Sequence, residues 1–119
     1  MNRYRFPKAL RLLQRQSFSR VFKNSTFRST DKIFCVLATE SELTNSRLGL
    51  AIAKKKVKKS VARQRIKRLV RESFRLHQDQ LGSWDIVVMA QAGADRADNQ
   101  IIFKSLERHW ERLSKRCKN

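Results

Sequence analysis

Three stretches of the chain alternate their side chains in the way that predicts β-strands. Residues 32–39 carry apolar side chains on both faces, so we expect both faces to be covered, or one of them to line a groove. Residues 47–53 place their large apolar side chains on one face, and residues 84–90 form the third predicted strand. The other face of residues 47–53 consists of small residues, which leave room above it: Gly49, Ala51 and Ala53.

Three further stretches repeat apolar residues at helical spacing. Residues 16–23 and 99–115 predict the first and last helices, and Asp98 is placed to cap the start of the last one. Residues 60–77 predict a long middle helix. Its apolar arc, which we expect to dock on the sheet, consists of Ala62, Ile66, Leu69, Val70 and Ser73.

The order of these elements is helix, strands, helix, strand, helix, which is typical of an α+β or split α/β sandwich of two layers. The length of 119 residues, with 3 glycines and 1 proline, indicates a single domain over residues 1–119 without a flexible linker. No apolar run is long enough to cross a bilayer, and we expect no membrane association. Two cysteines do not make a disulfide framework, so we expect a reducing, cytoplasmic location.

Charge changes this picture, because the net charge of +18 is extreme for a small domain. Residues 54–75 hold eleven Lys or Arg residues and one acid, while the first thirty residues hold eight basic residues and no acid. Such self-repulsion destabilises a compact chain, and a polyanionic partner would relieve it. We therefore expect the middle helix to pack its apolar arc against the core and to bind a polyanion with its basic surface.

Lysine dominates residues 54–59, whereas arginine dominates the middle helix that follows. Arginine can grip phosphates with two hydrogen bonds and can stack on bases, while lysine acts as a point charge. Solvated helix faces and coiled-coil surfaces normally mix the two signs of charge, and this helix barely does. The pattern favours a platform for a phosphate backbone.

Aromatic residues near the start of the chain allow two interpretations. Phe18, Phe22 and Phe34 are either ordinary core residues or part of an apolar groove on which unpaired bases stack. In the second case, the small-residue strand face would form the floor of the groove.

Residues with catalytic chemistry are scattered. The acids predict solvated surface positions rather than a metal site: Asp31, Glu40, Glu42, Glu72, Asp79, Asp85, Asp95, Asp98, Glu107 and Glu111. His77 and His109 lie on separate helices, neither His nor Cys has zinc-ligand spacing, and no glycine-rich phosphate loop occurs. The sequence offers no enzyme chemistry of its own.

The segment "RLGLAIAKKKVKKSVARQRIKRLVRESF" resembles the bacterial ribonuclease P protein subunit. The similarity includes the "RLG" strand, the "KK" pair at its end and the arginine-rich helix. It extends upstream to the "F-x-x-V-F" helix of Phe18, Val21 and Phe22, and downstream to "DIVVMA" and the closing helix. It covers about residues 7–115.

The resemblance implies a fold and a reaction. The fold is an α+β two-layer sandwich of a roughly four-stranded sheet and three helices, in the order αβββαβα, with a left-handed crossover through the basic helix. The reaction is removal of the 5′ leader from precursor tRNA, carried out by a catalytic RNA with Mg²⁺ that the RNA mainly binds. The partners are that RNA and precursor tRNA, with no obligate protein partner.

The resemblance also implies which residues of this chain bind RNA, because its motifs can be matched to the family's motifs residue by residue. Contacts to the catalytic RNA are implied for Arg63, Gln64, Arg65, Lys67, Arg68 and Arg71, with auxiliary basic residues Lys56, Lys58 and Lys59. A cleft for the single-stranded leader is implied for Phe18, Phe22, Phe34, Val36, Lys54 and Lys55. Gln64 stands where the family usually has asparagine, which lengthens that amide arm by one methylene.

Three other functions compete with this interpretation. A basic ribosomal-type or RNA-chaperone protein needs no place to stack free bases. A DNA-binding regulator would need a helix-turn-helix partner for the middle helix, and none is evident. A protein-only nuclease would need convergent carboxylates, which the scattered acids do not predict.

Overall fold

The computed structural model describes residues 15–41 and 45–117, with side chains over 18–41 and 45–116. The elements are α1 (Arg15–Asn24), β1 (Phe27–Thr30), β2 (Phe34–Glu40), β3 (Arg47–Ala51), α2 (Ser60–Leu81), β4 (Trp84–Ala90) and α3 (Asn99–Cys117), with a 3₁₀ turn at Ala94–Arg96. The basic N-terminus, Glu42 and the Cys117 side chain lie outside the described residues.

The four strands form one mixed sheet in the order β1-β2-β4-β3. The β1–β2 and β2–β4 pairs are antiparallel, and the β3–β4 pair is parallel. Helix α2 therefore makes the crossover between two neighbouring parallel strands. The α+β class, with three helices and a four-stranded mixed sheet, is confirmed. The described elements run in the order αβββαβα, and the left hand of the crossover stays a prediction.

Alternation along β2 divides the interior between the two faces of the sheet. Phe34, Val36 and Ala38 join the main core, which α2 and α3 cover. Cys35 and Leu37 face the other way and pack with the fully buried Val21 of α1. The sheet is thus covered by two helices on one face and by a single short helix on the other.

Helix α2 continues one turn beyond its predicted end because Leu81 is fully buried and Gly82, at φ 75°, ends the helix. Strand β3 stops early because the chain turns at Ala53, whose carbonyl accepts the backbone N–H groups of Lys56 and Val57. The Asp98 cap is confirmed, since its Oδ1 accepts the Ile101 N–H at 2.9 Å.

Strand β1 was not located by the hydrophobic pattern. Its sequence FRST has one apolar residue, and the residue that it buries most deeply is Ser29. Ser29 Oγ lies 2.6 Å from Nδ1 of the buried His109 on α3. A buried polar contact thus replaces the apolar alternation by which strands are recognised.

Candidate nucleic-acid interface

The loop between β3 and α2 presents a cluster of lysines on an ordered backbone. Its two buried side chains, Ile52 and Val57, anchor it to the main core. Arg63 of α2 reaches back to the loop, where its Nη1 donates to the carbonyls of Val57 (3.1 Å) and Lys58 (2.7 Å). All five lysines of this loop are exposed: Lys54, Lys55, Lys56, Lys58 and Lys59.

Helix α2 begins without any compensation for its charge. Its N-cap residue, Lys59, makes no side-chain capping bond, and its first turn contains no acid. The positive end of the helix dipole therefore adds to the lysine charges around it. Together, the loop and the first turns of α2 form a surface of one sign.

The predicted RNA-contacting residues of α2 are not equally available. Gln64 and Arg68 are exposed, whereas the other four are half-buried: Arg63, Arg65, Lys67 and Arg71. Arg65 donates to the Ala97 carbonyl at 2.7 Å and to Asn99 Oδ1 at 2.8 Å, which ties α2 to the start of α3. Arg63 and Arg65 therefore use part of their donor capacity to hold the surface together.

Helix α1 covers the face of the sheet where the aromatic groove was predicted. Phe18 and Ala51 both pack, partly buried, against the cluster that Val21 forms with Cys35 and Leu37. Phe22, one turn further along α1, is 47% exposed. Phe18 therefore lies on the same side of the sheet as Ala51, which belongs to the small-residue face predicted as the floor of a groove. Lys54 and Lys55 follow directly from that strand, so the groove and the lysine loop adjoin along the chain.

Two residues assigned to the leader cleft do not reach this groove. Phe34 and Val36 are fully buried on the opposite face of the sheet, in the core under α2 and α3. Strand alternation instead turns Cys35 and Leu37 toward α1, where they lie beneath it and are nearly buried. The sequence resolved the two faces of this strand but contained no signal for which face α1 covers.

An ion-pair network that the sequence did not predict fixes α1 on the sheet. Asp85 of β4 is fully buried, and its carboxylate accepts bonds from Arg20 at 2.6 Å and from Arg47 at 2.8 Å. Burial raises the pKa of Asp85, but the hydrogen bonds and charges of Arg47 and Arg20 outweigh it and hold the pKa below its usual 3.8. The expectation of a solvated surface acid is wrong for Asp85.

Asp31 is a second acid that is not simply solvated. Its Oδ1 caps the backbone N–H groups of Ile33 and Phe34, and its Oδ2 accepts the Ser105 hydroxyl. Burial raises its pKa, but these hydrogen bonds and the nearby His109 bring it down to about 2. His109 Nε2 lies 3.2 Å from Asp31, yet burial dominates and lowers the pKa of this histidine.

Neither a cluster of metal ligands nor a membrane-spanning helix occurs in the described residues. Across residues 18–41 and 45–116, no three His, Cys, Asp or Glu side chains come together as a set that could hold a metal ion. Among the helices in the described ranges, none has the length and apolar character needed to cross a membrane.

An open cleft of about 580 Å³ lies at the end of the sheet where β2 ends and β4 begins. Its lining is polar except for Trp84, and it includes Glu40 from β2 and Arg116 from α3. Arg116 Nη2 donates to the Thr26 carbonyl at 3.0 Å across this cleft. None of the residues predicted to bind RNA lines it.

Comparison with known sequences shows a consistent match. The family model described as Ribonuclease P matches residues 6–114. The ribonuclease P protein component of Methylococcus capsulatus is 46% identical over 114 residues, which covers 96% of this chain and 88% of that protein. The corresponding protein of Pseudoalteromonas atlantica is 46% identical over 112 residues, covering 94% and 92%.

Solved structures match over a similar range. The RNase P protein of Staphylococcus aureus superposes with a TM-score of 0.81 and 31% identity, covering 91% of this chain and 97% of that one. The RNase P protein of Thermotoga maritima superposes with a TM-score of 0.76 and 29% identity, covering 86% and 96%. The two-layer arrangement described above is thus shared with both.

Proposed function

This chain belongs to the ribonuclease P protein family, and from that premise we propose that it binds the catalytic RNA of ribonuclease P and holds the 5′ leader of precursor tRNA. The family supplies the protein component of an endoribonuclease made of RNA and protein. The observation that carries the proposal is the course of the chain from β3, whose Ala51 packs into the cluster beneath α1, through the exposed lysine loop into the basic helix α2.

The catalytic RNA binds along α2 and the loop before it. Exposed Arg68 and Gln64 offer hydrogen-bond donors to phosphates and base edges, and the exposed lysines add point charges. Arg63 and Arg65 keep the loop and the start of α3 in place while their remaining donors face the RNA. Charge neutralisation by RNA also relieves the self-repulsion of +18.

The precursor-tRNA leader lies in the groove between α1 and the sheet. A single strand is held by a basic rim and by aromatic faces on which bases stack. Phe22 offers such a face, Phe18 supports it from below, and Lys54 and Lys55 supply the rim. The nearly closed floor of Cys35 and Leu37 limits how deeply a base can enter.

The proposal assigns different roles to the RNA subunit and to the protein. The RNA subunit holds Mg²⁺ and performs the cleavage, while the protein positions the leader and screens the repulsion between two RNA molecules. The Arg20–Asp85–Arg47 network keeps α1 at a fixed height above the sheet, so it sets the width of the groove. The protein's contribution is therefore positioning and charge.

The test of RNA binding is the salt dependence of affinity for the catalytic RNA. Arg68→Ala removes an exposed charge, and we expect the log–log slope of affinity against salt to fall by about 0.7 to 0.9, the value for one phosphate contact. The matched control is Arg75→Ala on the same helix, because Arg75 is only 15% exposed and pairs with Glu72 at 2.5 Å. A slope for Arg68→Ala equal to that of the unmodified protein would mean that this residue is solvated in the complex.

A further inference from the structure

A second basic surface lies at the edge of the sheet opposite to β3 and the lysine loop. Four basic residues follow one another at intervals of one helical turn along α3, and all four are exposed. We call them the α3 row: Lys104, Arg108, Arg112 and Arg116. The edge strand β1 runs beside the row and turns its buried Ser29 toward α3.

Contacts to β1 hold the arginines of this row in place. Arg112 Nη1 donates to Ser29 Oγ at 2.8 Å, and Arg116 Nη2 donates to the Thr26 carbonyl at 3.0 Å. Each of these contacts uses one nitrogen of a guanidinium group that carries five N–H donors. An arginine that is already held loses less conformational entropy when it binds a ligand.

The charge of the row is largely uncompensated. The oxygens that accept from Arg112 and Arg116 are neutral, and Arg108 lies 3.7 Å from Asp31, whose carboxylate already accepts other bonds. The exposed acids of α3, Glu107 and Glu111, lie on the arc of the helix that points away from β1. Hydrogen bonds from α3 to β1 could stabilise the strand without four positive charges in a row, so a structural role alone does not explain the charge.

We propose that the α3 row binds the phosphate backbone of a second segment of the catalytic RNA, distinct from the segment on α2. This inference rests on the proposed function. The RNA subunit is the expected occupant because α2 and α3 pack side by side on the same face of the sheet. An RNA that covers α2 therefore lies on the same side of the protein as α3, whereas the groove for the leader lies on the other face.

Removing charge from the row tests this proposal. The double variant Lys104→Ala/Arg108→Gln keeps the contacts of Arg112 to Ser29 and of Arg116 to Thr26. It removes only the long contact of Arg108 with Asp31, so we expect at most a small decrease in melting temperature. The log–log slope of catalytic-RNA affinity against salt should fall by about 1.4 to 1.8, for two phosphate contacts. A matched Glu107→Gln/Glu111→Gln variant changes charge on the same helix but off the row, and it should not reduce the slope.

A tethered probe tests where the second RNA segment lies. Ile101 is 49% exposed on the arc of the row, and Leu76 is 62% exposed in the C-terminal part of α2, about two turns beyond Arg68 and outside the residues proposed to contact RNA. Each is replaced by cysteine in a Cys117→Ser background, where Cys35 is buried, and is coupled to an iron chelate that generates hydroxyl radicals. The probe at position 101 should cut the catalytic RNA at nucleotides that a probe at Gln64→Cys does not cut, and the probe at position 76 should cut weakly.

Each outcome decides the matter. An unchanged salt slope, or cuts from position 101 no stronger than those from position 76, would overturn the proposal. Cuts or slope changes that occur only after precursor tRNA is added would also overturn it, because the occupant would then be the substrate. If the row variants lose affinity while Arg68→Ala does not, the second surface stands and the role proposed for α2 fails.

Discussion

Replacing Phe22 by alanine separates leader binding from folding. Phe22 is 47% exposed, whereas its neighbour Val21 is fully buried and carries the packing of α1 on the sheet. Truncating a fully buried phenylalanine costs about 3 to 5 kcal/mol of stability. Because half of the Phe22 side chain already meets solvent, Phe22→Ala should cost much less than that, and α1 should stay docked.

The effect on binding is set by stacking. One base stacked on an aromatic ring contributes about 1 to 3 kcal/mol, and 1.4 kcal/mol is a factor of about ten. In the assembled holoenzyme, Phe22→Ala should therefore weaken precursor tRNA binding by about five- to 150-fold. Mature tRNA has no leader, so its affinity should be almost unchanged.

Both affinities are to be measured at one salt concentration, together with the melting temperature of the variant. Leu76→Ala is the matched control, since Leu76 is an exposed apolar helix residue outside the groove, and it should change neither affinity. Equal losses of affinity for precursor and mature tRNA, with a lower melting temperature, would show that Phe22 acts as a core residue. Leader recognition would then fall to Lys54 and Lys55.

Three further predictions follow from the buried charges and from the net charge. Asp85→Asn should destabilise the protein by about 1 to 3 kcal/mol in urea unfolding, because two charge-assisted hydrogen bonds weaken, and an unchanged midpoint would show that the network is not needed to hold α1. Burial lowers the pKa of His109 in the folded state, so just below pH 6.5 only the unfolded chain takes up this proton. The free energy of unfolding should therefore decrease as pH falls, by at most about 1.4 kcal/mol per pH unit from this group. His109→Gln should flatten that decrease between pH 6.5 and 5. Sulfate or pyrophosphate should raise the melting temperature followed by circular dichroism, because these anions bind the native state of a chain with charge +18, and identical melting curves would count against this explanation.

The layout of the elements could be predicted because it follows from patterns that are local in the sequence. Residues 84–90 form an almost continuous apolar run followed by a polar loop, and this pattern predicts strand β4 at its observed bounds. The apolar arc of α2 could be read from helical spacing, and Ile66, Leu69 and Val70 are buried as expected. Local period and capping chemistry carry this information without reference to the rest of the chain.

The parts that could not be predicted depend on tertiary contacts. Phe34 and Cys35 are neighbours on β2, and only the docking of α1 decides which of them lies beneath the groove. Asp85 looks like any strand-end acid until Arg20 and Arg47, distant in sequence, converge on it. Strand β1 is stabilised by contacts of Ser29 with α3, which no pattern within FRST indicates.

The most direct test of the central claim is reconstitution of precursor-tRNA cleavage. The purified protein is added to a bacterial ribonuclease P RNA at a Mg²⁺ concentration too low for the RNA to act alone, and release of the 5′ leader is measured. The account predicts that the protein restores cleavage at the mature 5′ end and that the protein without RNA leaves the substrate intact. Failure to stimulate the RNA, or specific 5′ maturation by rigorously RNA-free protein, would contradict it.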